Sequence, residues 1–220
     1  VCISSGKHAI SLIPLKDAAL FELHFDPQPD NSMDSVLPRR RHADDLVELF
    51  WNHIQPLEPI LDRELFTRSY EAVFAGRTLP TTAERIFLCT LNTVFALSTQ
   101  VQEQLPVKER NSASGTFFRR AWAMLRVESV LWEAGSIELV QCLLLMARYL
   151  QCSNHPHQTW MAVGMAVRVA QSIGLEKPGS WADDSGHRVP HSSRHRLWQC
   201  CLYMDRYVST CPMFRSGRHH

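Results

Sequence analysis

The sequence predicts an all-α fold, and three observations carry that reading. Apolar residues recur at helical spacing through most of the chain, helix ends are marked by capping residues, and no stretch shows convincing strand alternation. With 220 residues there is enough chain for one sizeable, irregular multi-helix domain and an arm. Hydrophobic residues make up 45%, too many for general disorder.

Residues 1–42 read as a flexible arm or linker. They lack a sustained period, and the run Asp26-Pro-Gln-Pro-Asp is rich in turn formers. The arm ends in a basic stub, Arg39–Arg41. A solvated stub is the plain reading, with a localisation signal or phosphate contact as the alternative. A first helix is expected from near Ala43, with Leu46, Leu49, Phe50 and His53 on its apolar face and Pro56 and Pro59 ending it in an extended segment. Asp62 is placed to cap the next helix, whose face is Phe66, Tyr70, Val73 and Phe74 and which Gly76 closes. Thr81 and Glu84 have the spacing of a capping box. Behind them Ile86 to Leu97 is apolar nearly all round, as in a helix buried on most sides.

A further helix is expected over 107–132, with an interruption near Ser114 and Gly115. Phe117, Phe118, Ala121, Trp122, Leu125 and Val130 would face the core, and Arg119, Arg120 and Arg126 the solvent. Ser136 caps a helix with the stripe Leu139, Cys142, Leu143, Met146, Tyr149 and Leu150. The next helix carries a heptad-like seam of Trp160, Val163, Val167, Ala170 and Gly174. Gly164 lies beside that seam, where a missing side chain would let a neighbouring helix approach. Gly174 fits a left-handed C-cap, Leu175 would fold back on the last turn, and Pro178 stops the helix. After a polar loop, a last helix from about Ser193 carries Leu197, Trp198, Cys201, Leu202 and Met204.

Composition excludes several functions. A net charge of +1 argues against these residues gripping nucleic acid, whose phosphates call for a basic excess. The apolar run around Leu139–Met146 is too short for a membrane span, so the chain reads as soluble, and the mildly apolar residues 8–15 lack the features of a signal peptide. Because the first residue is Val1, a truncated or processed start is expected. The seven cysteines, at 2, 89, 142, 152, 200, 201 and 211, are odd in number and scattered, as in a reduced intracellular protein. Cys89 and Cys142 sit on apolar faces as small hydrophobes, and the neighbours Cys200 and Cys201 read as one thiol inward and one outward.

Sharper candidates each have a plainer reading. Cys152, His155 and His157 lie close together but read as an inter-helix loop, since Pro156 breaks the geometry and no fourth ligand is evident. His187, His191 and His195 are four apart, but Pro190 argues against one continuous helix. Asp183-Asp184 lacks the third acid of a magnesium motif and reads as a solvated pair. Trp160 and Trp198 are read as core packing rather than a ligand pocket. Asp205 and Arg206 are read as ion-pairing residues, with Arg194 or Arg196 as partners.

Four elements in order resemble the regulatory, or middle homology, domain of fungal zinc-cluster transcription factors. They are Leu46, Phe50, Pro56, Pro59, Phe66 and Tyr70; then Gln141-Cys-Leu-Leu-Leu-Met, followed by Ala147-Arg148-Tyr149-Leu150; then Trp160, Gly164, Ala166, Arg168, Ala170, Gly174 and Leu175; then Arg194, Arg196, Trp198, Asp205 and Arg206. The resemblance covers residues 43–210 and assigns these positions a structural role. It departs after Asp205-Arg206, where the family's Gly-Arg-Pro is missing and residues 211–220 form a divergent tail. The resemblance therefore implies a domain truncated at its C-terminal end.

It also implies a nuclear regulator of transcription by RNA polymerase II whose DNA contact is made by a six-cysteine, two-zinc module. That module is not in this chain, since none of the seven cysteines has Cys-x-x-Cys spacing. Co-regulators or a small effector are the implied partners, with no membrane. Two other classes stay open: a helical enzyme acting on an apolar small molecule, and a stand-alone interaction module without DNA binding. Against the enzyme, the chain has no Gly-x-Ser-x-Gly, no His-Glu-x-x-His, no phosphate loop and no dinucleotide fingerprint.

Overall fold

The computed structural model describes residues 37–77, 81–126, 130, 132–177 and 191–210. Seven α-helices run through them: α1 Arg40–Leu49, α2 Arg63–Phe74, α3 Thr81–Gln100, α4 Val107–Leu125, α5 Ile137–Cys152, α6 Pro156–Ser172 and α7 His191–Thr210. Helix α3 packs along α4 and α5, α5 along α6, and α6 along α7, while α1 lies against α3. The all-α expectation holds, with no strand among the described residues.

Helix α1 starts three residues earlier than expected. The Arg40 guanidinium pairs with Asp44 at 2.9 Å and lies over the rings of Tyr70 and Phe74, at 4.9 and 4.8 Å from their centroids. These contacts hold the first turn although no acidic residue is there to favour the helix start. Tyr70 donates to Asp44 at 2.6 Å, and burial, then that bond, push its phenol above the usual range.

The far end of α1 widens into a π-helical turn, Phe50–Ile54, closed by the Gln55 N–H donating to the Phe50 carbonyl at 3.0 Å. The extra residue rotates the frame, so Trp51 is buried and His53, expected on the apolar face, is exposed. Residues 55–57 form a turn rather than the extended segment expected there. Asp62 caps α2 as predicted, accepting from the amides of Glu64 and Leu65. Gly76 follows at φ +66°. The hydrogen bonds expected of a Thr81–Glu84 capping box fall outside the described residues.

In α3 every residue from Cys89 to Thr99 is buried. Its core hydroxyls are accommodated by donating back one turn: Thr90 to Ile86, Thr93 to Cys89 and Thr99 to Phe95, all within 2.9 Å. Helix α4 is continuous through Ser114 and Gly115, not interrupted. Their small size admits Tyr149 of α5, whose hydroxyl lies 3.4 Å from Ser114 Oγ and whose ring stacks on Phe118 at 4.2 Å. The helix then stops at Leu125, short of the expected 132. Arg126 turns left-handed at φ +48°, and Arg85 donates to the carbonyls of Met124 and Leu125 while pairing with Glu133 at 2.5 Å. A side chain forty residues away terminates this helix, a signal no local reading contains.

Helix α5 begins at the Ser136 cap, which accepts from the Leu139 amide at 3.1 Å. All six stripe residues are buried, and so are Val140, Leu144, Leu145 and Ala147. In α6 the expected seam is displaced. The buried face is Thr159, Ala162, Val163, Ala166, Val169 and Ala170, while Trp160 is 47% exposed. Small residues, not the tryptophan, set this contact, which lets α5 and its neighbour pack closely. Gly164 is exposed with nothing near its missing Cβ, so it does not mediate the close approach expected of it. That role belongs to Gly135, where a Cβ would meet Ser172 Oγ at 2.9 Å and both Val169 and Ile173 at 3.1 Å. Gly174, at φ +69°, ends α6 as predicted, and the Leu175 amide donates to Ala170 as its side chain packs inward.

Candidate functional site

Within the apolar run Leu139–Leu150 of α5 stand Gln141 and Arg148, two turns apart on one face. Both hold the turn that follows α1. Gln141 Nε2 donates to the Ile60 carbonyl at 2.9 Å. Arg148 Nε donates to Glu58 Oε2 at 2.9 Å, its Nη2 faces the other oxygen of the same carboxylate, and its Nη1 donates to Gln151 at 2.7 Å. Within the turn, Gln55 Nε2 donates to the Leu61 carbonyl at 2.6 Å and Gln55 Oε1 accepts from the Leu61 amide. Prolines at 56 and 59 supply no amide donors; the amides of Leu57, Glu58 and Ile60 donate to backbone carbonyls, while side chains serve the Ile60 and Leu61 carbonyls and the Leu61 amide.

Glu58 and Arg148 form one wall of a groove with Gln151; Tyr203, Met204, Tyr207 and Val208 of α7 form the other. Its cavity volume is about 20 Å³, room for little more than a water molecule, so it encloses no drug-sized ligand. Met204 and Val208 point inward, whereas Tyr203 and Tyr207, one turn apart, are 59% and 47% exposed. The arrangement offers a charged pair, an amide and two aromatic faces. It suits contact with another surface, and its groups do not make a nucleophile with an adjacent base.

The other residues singled out from sequence do not converge. Trp160 and Arg168 are exposed on α6, and Arg168 donates to Gln171 at 2.8 Å. Gly174 and Leu175 serve the end of that helix. On α7, Trp198 packs partly buried against the core, and Arg196 donates to Ser193 at 3.1 Å. The ion pair expected between Asp205 and Arg194 or Arg196 does not form: all lie on α7, and Arg194 and Asp205 are separated by about 16 Å of helix axis.

Pro156 opens α6 at its first turn, with Cys152 at the end of α5 and His155 facing Ser153 Oγ at 3.0 Å. Helix α7 starts directly after Pro190, with His195 exposed on it. His187 and Asp183-Asp184 lie outside the described residues, as do Cys2 and Cys211.

Cysteine placement decides whether zinc fits. Cys201 is buried, and burial, then neighbouring Cys200, pushes its thiol up to about 12. Cys200, partly buried, is raised for the same reason, whereas Cys152 is exposed. Cys89 and Cys142 meet inside the core, but among the described residues no third His, Cys, Asp or Glu joins them. The described residues therefore do not fit a tetrahedral zinc site. No helix among them is long and apolar enough to cross a membrane.

Sequence reasoning had Gln141 and Arg148 only as parts of a motif and missed Glu58. Polar residues seven apart, Gln141 and Arg148, in the run from Leu139 to Leu150 were the available signal.

Comparison with known proteins supplies what the geometry lacks. Residues 47–215 match the family described as the fungal specific transcription factor domain. The chain is 43% identical over 203 residues to the sorbicillinoid biosynthetic cluster transcription factor sor3 of Hypocrea jecorina, covering 89% of this chain and 29% of the relative. It is 41% identical over 206 residues to the sorbicillinoid biosynthetic cluster transcription factor 2 of Penicillium rubens, covering 90% and 29%. The positive regulator of purine utilization of Emericella nidulans is 27% identical over 232 residues, covering 80% and 21%. The chain thus spans under a third of the length of these relatives. No solved structure matches it.

Proposed function

Because the chain belongs to the fungal specific transcription factor domain family, we propose that it is the non-catalytic regulatory domain of a nuclear zinc-cluster transcription factor acting on a biosynthetic gene cluster. The observation that carries this reading is 43% identity to a transcription factor of a sorbicillinoid biosynthetic cluster, sustained over 203 residues. DNA contact and zinc belong to a separate six-cysteine module of the whole protein. The net charge of +1 supports that division, because a DNA-gripping surface needs a basic excess. This domain acts through contacts with the rest of the protein, with co-regulators or with a small effector. The shallow groove between Arg148 and Tyr207 favours a macromolecular contact over an enclosed ligand.

Mobility shift on promoter DNA of the cluster tests the division of labour. The full-length protein binds and loses binding to a zinc chelator, while the 220-residue chain does not bind. Equal DNA affinity of this chain alone, or chelator-insensitive binding by the whole protein, overturns the reading.

A further inference from the structure

Two thiols at the centre of the domain have no part in the groove. Cys89 of α3 and Cys142 of α5 are both fully buried, with their Sγ atoms 3.2 Å apart. Cys142 donates to Cys89 Sγ, and Cys89 donates to the Ala121 carbonyl of α4 at 3.1 Å. Three core helices thus meet at one pair of sulfurs. A disulfide needs the sulfurs about 2.05 Å apart, so closure requires an approach of roughly 1.2 Å.

We propose that Cys89 and Cys142 form a redox modification site, in which a hydroperoxide converts the buried thiol pair into a disulfide that ties α3 to α5 within the folded domain. The chemistry balances with the peroxide as sole oxidant. One thiolate sulfur forms a bond to a peroxide oxygen, the O–O bond breaks, and the departing hydroxide takes a proton to leave as water. The second thiolate then attacks the resulting sulfenic sulfur. The S–S bond forms, the S–O bond breaks, and a second hydroxide leaves as water. Two sulfurs are oxidised by one electron each, and the peroxide is reduced by two.

The surroundings make this site slow and selective. The hydrogen bond with Cys142, then burial, hold the Cys89 thiol far above its usual range, so little thiolate is present in the closed core. Oxidation follows local opening of the α3–α5 contact, and the site responds to sustained rather than brief exposure. In a reducing compartment such a bond is transient, as in a sensor. Once formed, it closes a loop between residues 53 apart and restricts the unfolded chain.

The test incubates the full chain with hydrogen peroxide under native conditions, followed by peptide mapping and thermal melting. The expected result is a Cys89–Cys142 cross-linked peptide that dithiothreitol reverses, with a melting midpoint raised by roughly 5–15 °C over the reduced protein. Cys142→Ala abolishes both the link and the shift; if that variant fails to fold, the mapping of the unaltered chain still decides. Three results overturn the proposal: peroxide that modifies Cys152 or Cys200 while leaving Cys89 and Cys142 as thiols, a link that appears only in denaturant, or over-oxidation of either sulfur without a link.

Discussion

Replacing Arg148 with alanine strands the Glu58 carboxylate. The Glu58 side chain is only 10% exposed, so without the guanidinium its charge faces little water. Breaking a fully buried ion pair on one side costs about 3–5 kcal/mol. Arg148 is itself 26% exposed, and water that enters on its removal screens part of the loss, which brings the expectation to about 2–3 kcal/mol. In a chain of this size that lowers the melting midpoint by roughly 4–12 °C. The assay is urea unfolding followed by far-ultraviolet circular dichroism for the parent, Arg148→Ala, Glu58→Gln and the double variant. Because the two residues act as a unit, the double variant loses less than the summed single losses, by at least about 1 kcal/mol. An Arg148→Ala loss under about 0.5 kcal/mol, or strict additivity, refutes the clamp as a stabilising device.

Further predictions concern single residues. Gly164→Ala stabilises the protein by about 0.5–1 kcal/mol, since the site is open and helical, whereas Gly135→Ala destabilises it by about 1–3 kcal/mol through contact with Ser172, Val169 and Ile173; denaturant midpoints of the two variants check the opposite signs. Asp62→Ala removes the acceptor for two α2 amides and costs about 1 kcal/mol in the same assay. Folding stability also falls at alkaline pH. The Cys201 thiol is raised in the folded state from 9.0 to about 12, so its contribution is intact below pH 9 and is lost as pH rises toward 12, by up to about 1.4 kcal/mol per unit. Cys201→Ala flattens that slope, and an unchanged slope in the variant contradicts the assignment.

What could be read from sequence was local. Asp62, Ser136 and Gly174 act through amides within a few residues, so their roles follow from spacing alone. The stripe of α5 was legible because that helix is buried on nearly every side, and an error of phase there has no consequence. In α6 the phase matters. The reading followed the largest side chain, Trp160, whereas close packing selects the alanines at 162, 166 and 170. The same cause separates Gly164 from Gly135: a glycine's reason for being small lies in what stands opposite, which sequence does not display. The end of α4 is set by Arg85 and the turn after α1 by Arg148, both from distant parts of the chain. The site residues Glu58 and Arg148, ninety positions apart, share that obscurity.

Transcript levels in a strain whose gene lacks only the codons for residues 40–210 test the central claim most directly, when measured together with occupancy of the cluster promoters. A regulatory domain separate from the DNA-binding module predicts that occupancy persists while cluster transcripts change severalfold. Unchanged transcripts with the truncated protein still at its promoters contradict the regulatory role assigned to this chain.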